Sequence, residues 1–469
     1  MAINNISDLD LGTFLQIIYS KGIFQQTSRD YSDFDMIKMN NVKIAPGRQY
    51  DFQLSTSLAP ASTQRRNPGQ SNRPFPTGQR IAHQEYSAVF KEIQTTIDLD
   101  GQLLARAQET PQKYAEVWAT QAQDSLDGAR RIMASEIYRD GTGALGHIGS
   151  LVNSDANDEV RRTFTLNNDR STADTLSYAG WFESDDILVL KTRAAAASAA
   201  DITNGAQTLT YWQVIEIDPI ANTVLCKGLD ADLEPVLNSV GSPATVTTEP
   251  AATEVFYRYG QQIFPTLGSV LDYGNVSTPI TGFEALAAAD GRTVHGMKLE
   301  GTLAGSQVDA AGASIDVKFI EAAMNKAKRR VGPGRYNWKK MCTSYETRSA
   351  LIESKETDRR FVSVKDNDRG SAEFNYVHGE TQLRLGTSEY CPQDVIWMLP
   401  EVRSSGEKVM EYVGDEMKVA GNYGNMSDFH LKIVNGEYVD GVQQFMRGVN
   451  LLLCKHPASI ASIVNFTNQ

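Results

Sequence analysis

The residues with the clearest chemical pattern are Gly141, Gly143 and Gly146 in the run Gly-Thr-Gly-Ala-Leu-Gly. The spacing matches the glycine fingerprint of dinucleotide-binding loops. That chemistry needs a strand before the first glycine and a helix N-terminus after the last, so that backbone amides face a pyrophosphate. Here a helical pattern precedes the glycines, and His147-Ile-Gly-Ser-Leu-Val follows with no helical signal. The competing reading is that the glycines supply left-handed turns where a helix ends. The six histidines, His83, His147, His295, His378, His430 and His456, lie outside any spacing used for hydrolytic or zinc chemistry. Asp366-Asn-Asp368-Arg-Gly370 lacks the spaced ligands and closing glutamate of a calcium loop and reads as a turn. Asp185-Asp186 shows no partner that would make it an acid–base pair. Cys226, Cys342, Cys391 and Cys454 are widely separated and read as reduced, buried thiols. The sequence therefore nominates no catalytic, cofactor-binding or metal-binding residue.

The remaining chemical signal is charge. The chain has 469 residues and a formal net charge of -12. Its segment 52–84 nevertheless contains no Asp or Glu, and carries Arg65, Arg66, Arg73 and Arg80 among Pro, Ser, Asn and Gln. Overall acidity argues against a general nucleic-acid binder, which needs a basic face to neutralise phosphates. Three readings of the segment are open. A nucleic-acid strap would interleave its cations with aromatics, and in the tip, residues 58–80, only Phe75 is present. A disordered linker has this composition. A subunit-bridging arm would lay its arginines on carboxylates that an acidic neighbour supplies.

The elements that would carry such an arm can be read from periodicity. Residues 1–34 hold a short amphipathic run from Ile6 to Ile18. Tyr50, Phe52 and Leu54 alternate with Asp51 and Gln53, the period of a half-buried strand, after a bend at Pro46-Gly47. Extended character resumes at Tyr86, Ala88 and Phe90, and continues through Ile93 and Ile97. The two runs predict a long hairpin with a polar tip. A long helix is then predicted over residues 111–139, with Thr110 as N-cap and Asp140-Gly141 as stop. Its apolar stripe includes Tyr114, Trp118, Leu126, Ile132, Met133 and Ile137. It would span ~42 Å at about 1.5 Å per residue.

Residues 151–262 carry short apolar runs broken by Gly, Asn and Asp, and predict a β-rich insertion of barrel type. The Ala-rich run 194–200 inside it is open between helix and loop. Beyond an irregular stretch, a helix capped by Ser314 is predicted to end at Gly332-Pro333-Gly334. A strand from Trp338 to Thr343 leads into a capping-box pattern, Thr343-Ser-Tyr-Glu346, and a helix over 347–356. Strands are expected near Gln382–Leu385 and Val395–Leu399, with further strand-like runs in 430–466. The class is α+β. No segment has the uninterrupted apolar length of a membrane span, and no secretory signal pattern opens the chain.

The order of these parts resembles the major capsid proteins of tailed bacteriophages, the Hong Kong 97 fold family. The likeness is carried by the hairpin, the long helix, the stretch Tyr138-Arg-Asp-Gly-Thr-Gly-Ala-Leu-Gly-His-Ile-Gly-Ser150, and the run Tyr390-Cys-Pro-Gln-Asp-Val-Ile-Trp-Met-Leu-Pro400. It implies an N-terminal arm (1–34), an extended loop (35–100), and a spine helix with the start of a peripheral domain (101–150). It implies next a β-rich insertion domain (151–262), peripheral and axial segments (263–425), and a return to the peripheral domain with a tail (426–469). The implied function is self-assembly through hexamers and pentamers into an icosahedral shell enclosing double-stranded DNA, with no specific DNA contact and no membrane. Portal, scaffolding or decoration proteins would be partners. The location would be the virion, assembled in the host cytoplasm, with no cofactor and no enzymatic activity. Some relatives crosslink through a lysine in the extended loop. No lysine lies between Lys43 and Lys91, so the resemblance implies a non-covalent contact at Arg65, Arg66, Arg73 and Arg80. A nucleotide-binding enzyme built on Gly141–Gly146, and a tail or decoration protein, are the alternatives.

Overall fold

The computed structural model describes residues 38–41, 49–55, 83–100, 125, 127–129, 131–154, 159–167, 177–192, 202–204, 207–209, 211–230, 233, 235, 254–259, 280–288, 291–301, 303–331, 336–356, 375–378, 381–403, 408–419, 429–434 and 437–467. The N-terminal run 1–34, the hairpin tip, the Ala-rich run, the Asp366–Gly370 turn and most of the predicted long helix lie outside these residues.

Strands Gln49–Ser55 and His83–Val89 pair antiparallel, from Gln49 opposite Val89 to Ser55 opposite His83. The alternation read from sequence sets this ribbon's faces. Phe52 and Tyr86 are buried and stack across the pair at 5.8 Å, whereas Asp51 and Gln53 are exposed. One residue, Phe90, separates His83–Val89 from strand Lys91–Asp100.

Lys91–Asp100 belongs to a five-stranded sheet built on the long strand Glu437–Cys454. Residues 446–450 pair on one side with Met410–Val419 and on the other with Lys91–Asp100. Residues 441–444 of the same strand pair with Phe429–Val434 opposite Lys91–Asp100. Met410–Val419 and Phe429–Val434 therefore lie end to end along one edge, and Lys91–Asp100 holds the other. Lys38–Asn41 adds in parallel beyond Met410–Val419.

A second, six-stranded sheet is mixed. Its order is Ser306–Asp309, Ala461–Val464, Val395–Arg403, Tyr336–Thr343, Thr381–Thr387, Asn375–His378. Helix Val317–Val331 packs on its first two strands through Ile320, Ala323, Met324, Ala327 and Val331, the i, i+3, i+4, i+7 spacing of one helix face. The cap of this helix is not Ser314. Asp316 Oδ1 accepts the Lys318 amide, while Ser314 forms a β-bridge to Thr467. Helix Tyr345–Glu356 likewise starts at Ser344, whose hydroxyl accepts the Thr347 amide at 3.2 Å. The predicted box began one residue too early, because Thr343 is still a strand residue paired with Thr387.

The third body is a closed six-stranded barrel of Tyr211–Asp218, Thr223–Leu229, Arg161–Leu166, Gly146–Asn153, Glu254–Arg258 and Ile187–Thr192. Inward residues alternate along its strands, and Phe164 packs edge-on against Trp212 at 5.1 Å and Phe256 at 5.0 Å. Its first strand begins at Gly146, five residues before the predicted insertion. The whole is a mixed helix-and-sheet fold. All four cysteines are free and buried, and burial raises the Cys454 thiol to about 12. Among the described residues no helix is long and apolar enough to cross a membrane.

Candidate functional site

The glycine-rich run does not form a nucleotide cradle. A helix, residues 131–138, enters it, and the barrel strand Gly146–Asn153 leaves it. Gly141 and Gly143 have φ of 82° and 87°, the left-handed turns that end the helix. The Asp140 carboxylate accepts both the Thr142 amide at 2.8 Å and the Thr142 hydroxyl at 2.7 Å. A carboxylate thus occupies the amide a phosphate would need, beside the negative end of a helix dipole. Among the described residues no group of three His, Cys, Asp or Glu side chains is placed to hold a metal. Asp185 and Asp186 face different partners: Asp185 accepts from Gln213, and Asp186 pairs with Arg258 at 2.9 Å.

What the run does instead is join the three bodies of the chain at one helix end. At about 100° per residue, Met133, Tyr138 and Arg139 point roughly 0°, 140° and 240° around the axis. Met133 Sδ accepts from the Tyr412 hydroxyl and Asn450 Nδ2 of the five-stranded sheet, at 3.5 and 3.3 Å. Tyr138 packs on Phe283 and Trp397, and its hydroxyl meets Cys342 Sγ at 3.1 Å in the six-stranded sheet. Arg139 Nε donates to Ala144 O at the mouth of the barrel, and its guanidinium lies 5.9 Å from the Trp181 ring centre.

The predicted apolar stripe becomes burial all round over 133–140. Ile137 and Met133 are buried and Ile132 is half-buried. Tyr114, Trp118 and Leu126 lie outside the described residues, as do Arg65, Arg66, Arg73 and Arg80. Burial extends to Ser135 and Glu136 because three bodies surround the helix end. Each of these polar groups is satisfied locally: the Ser135 hydroxyl donates to Ile132 O, and Glu136 Oε2 accepts the Ile280 amide. Burial raises the Glu136 carboxyl, against the pull of Arg139, the Ile280 amide, Arg258 and Lys91. Burial also lowers Arg139 to about 10, with Glu136 opposing.

Trp181 clamps this junction from the barrel side. Arg258, a barrel residue, donates to Trp181 O, and Trp181 Nε1 donates to Tyr390 O at 2.7 Å. The substitution Trp181→Phe deletes that bond and removes the pyrrole part of the buried indole, so a lost hydrogen bond and a small cavity add. We expect a loss of about 1–3 kcal/mol, read as a lower urea midpoint at unchanged slope. An unchanged midpoint would show that the bond contributes nothing.

His295 is buried near Lys91 and Leu452 of the five-stranded sheet. With Gly296 it forms the left-handed pair of the tight turn joining Thr293–Val294 to Met297–Lys298 (φ 53° and 77°). It is fully buried, and burial, with the nearby Lys91 ammonium, lowers it from 6.5 to about 3, the Leu452 backbone opposing. Between those values the unfolded chain binds a proton that the folded chain does not. Stability contributed here is therefore complete above pH 6.5 and falls as pH drops toward 3. His295→Asn suits the turn and cannot titrate. It is expected to flatten the stability–pH slope in that window by up to ~1.4 kcal/mol per pH unit. Urea midpoints at several pH values check this, and parallel slopes for the two proteins would refute it.

No family model matches the chain, and no curated protein matches it. Solved structures do overlap it along nearly its whole length, and they are phage-type capsid shells. The cyanophage A-1(L) capsid asymmetric unit is 9% identical, covering 92% of this chain and 91% of that one, with a TM-score of 0.44. The capsid of the native GTA particle is 9% identical over 92% and 89%, at 0.36. The satellite phage P4 procapsid including size determination protein is 9% identical over 99% and 98%, at 0.32. Likeness of this size assigns no role by itself. The Glu136, Arg139 and Trp181 junction was missed from sequence. The one available signal was a Glu and an Arg embedded in an otherwise apolar helical run.

Proposed function

We propose that this chain is the shell-forming subunit of a virus capsid of the Hong Kong 97 type. On this reading, copies assemble through hexamers and pentamers into an icosahedral container for double-stranded DNA. The observation that carries the reading is the ribbon Gln49–Ser55/His83–Val89. It stands outside both large sheets, yet runs through Phe90 alone into Lys91–Asp100 at the edge of the five-stranded sheet. A ribbon so joined gives its connecting segment, with four arginines and no acid, a fixed base. Such a segment has no core of its own, and in an assembly of one acidic chain its complement is a neighbour's carboxylates. Each exposed ion pair contributes about 0–1 kcal/mol, so multiplicity holds the shell together.

On the same reading, residues 111–139 are the spine helix, the barrel is an insertion domain, the five-stranded sheet belongs to the peripheral domain and the six-stranded sheet to the axial domain. Portal, scaffolding or decoration proteins are the heterologous partners. The net charge of -12 keeps packaged DNA from adhering to the wall. Negative-stain microscopy and sedimentation of the purified protein test the proposal. Closed particles or ring-shaped capsomers are expected, and a stable monomer at all concentrations would overturn it.

A further inference from the structure

A cationic groove lies where helix Val317–Val331 crosses the outer strand of the six-stranded sheet. It has a volume of about 480 Å³ and is lined by Val308, Ala322, Asn325, Lys326, Arg329 and Arg330. That is within the ~300–1,000 Å³ of ligand-sized pockets. Ser306–Asp309 pairs with Ala461–Val464 on one side and ends the sheet among the described residues. The helix covers this edge with charge: Lys326 Nζ donates to Gln307 O, and Arg330 Nη1 donates to Ala304 O and Gly305 O. The Gln307 carbonyl and the two carbonyls just before the strand are thus taken, which hinders strand addition there. What remains accessible is positive charge over an apolar floor, with Arg329 exposed at the rim.

We propose that this groove seats a carboxylate-bearing segment of a second copy of this chain. The inference rests on the shell reading and adds a contact of opposite polarity to the arm's. Two observations select the occupant. In a chain with 57 acidic and 45 basic residues, Lys326, Lys328, Arg329 and Arg330 fall within one and a half helical turns, so every copy offers an excess of complementary carboxylates. Val308 and Ala322 add apolar surface to the lining, which suits the side chains of an amphipathic peptide. Burial, then the adjacent Arg330 charge, lowers the Lys326 ammonium from its ordinary value. An incoming carboxylate relieves that crowding.

The test uses the full chain carrying Arg329→Glu, with Arg329→Lys as the charge-retaining control. Assembly thresholds are read by light scattering and sedimentation at low and high salt. Arg329 is exposed, so both variants should match wild type in circular dichroism and thermal transition. Arg329→Glu is expected to raise the threshold concentration about tenfold at low salt and less at high salt, and Arg329→Lys to stay near wild type. Equal thresholds for Arg329→Glu and an assembling wild type overturn this inference alone. So does unchanged assembly with reduced DNA retention, which assigns the groove to phosphate. A wild type that never assembles overturns the shell reading and this inference with it.

Discussion

Deleting residues 58–80 should leave a folded subunit that no longer closes into shells. The deletion falls between Ser55 and His83, the last residues of the ribbon's ladder. It leaves four residues to join them, a length within the usual two to five of hairpin loops. Phe52 and Tyr86 keep their burial and their contact. The same cut removes Arg65, Arg66, Arg73 and Arg80 together, and with them the whole basic surface of the arm. On the shell reading the contact repeats on every subunit, so losing it everywhere abolishes the cooperative gain rather than weakening it in proportion. Circular dichroism and thermal melting should be close to wild type, while microscopy should show no closed particles. Normal particles from the deleted protein would remove the arm from the mechanism.

A large effect from a single methyl group is expected at Gly282. Its φ of -89° is one any residue adopts, so backbone freedom is not the reason for glycine. The reason is proximity. A methyl group there would collide with the carbonyl oxygens of Glu136, Ile137 and Arg139, at the end of the central helix. Backbone oxygens cannot swing away as side chains do, and the helix end is held on all sides. Gly282→Ala should therefore cost about 3 kcal/mol or more, at the upper end of overpacking penalties. Gly128 supplies the control. It is helical, nothing lies within 4 Å of a Cβ built on it, and Gly128→Ala should be neutral or stabilise by roughly 0.5–1 kcal/mol. Urea unfolding and soluble yield of the two variants check the contrast. A Gly282→Ala protein as stable as wild type would mean the helix end is not fixed as described.

Local periodicity made part of this fold legible. Tyr50, Phe52 and Leu54 alternate within one strand, and Ala323 and Ala327 repeat within one helix, so each pattern is written in adjacent residues. The stop at Asp140-Gly141 was legible for the same reason. Partners distant in sequence were not. Nothing local to Lys91–Asp100 announces that it pairs with Gly441–Asn450, and nothing near Trp181 announces a bond to Tyr390. The caps at Asp316 and Ser344 were misplaced by a residue or two because the choice between neighbouring polar side chains is made by tertiary bridges such as Ser314 to Thr467. Glu136 reads as a solvent-facing helix residue until three bodies are packed around it.

The meeting of those bodies at Met133, Tyr138 and Arg139 has a mechanical consequence. On the proposed shell reading, one kind of subunit tiling a closed surface must occupy places of unequal curvature. Here the two sheets and the barrel share one short helix end as an axle, each touching it through a different side chain, with the Trp181–Tyr390 bond as a further tie between barrel and six-stranded sheet. A turn about that axle too slight to break any of those contacts is magnified by leverage at the outer rim of each body. Adjustment to curvature therefore requires no loosened core. The rigidity that makes Gly282 intolerant of one methyl group also makes the subunit a set of levers on a shared fulcrum.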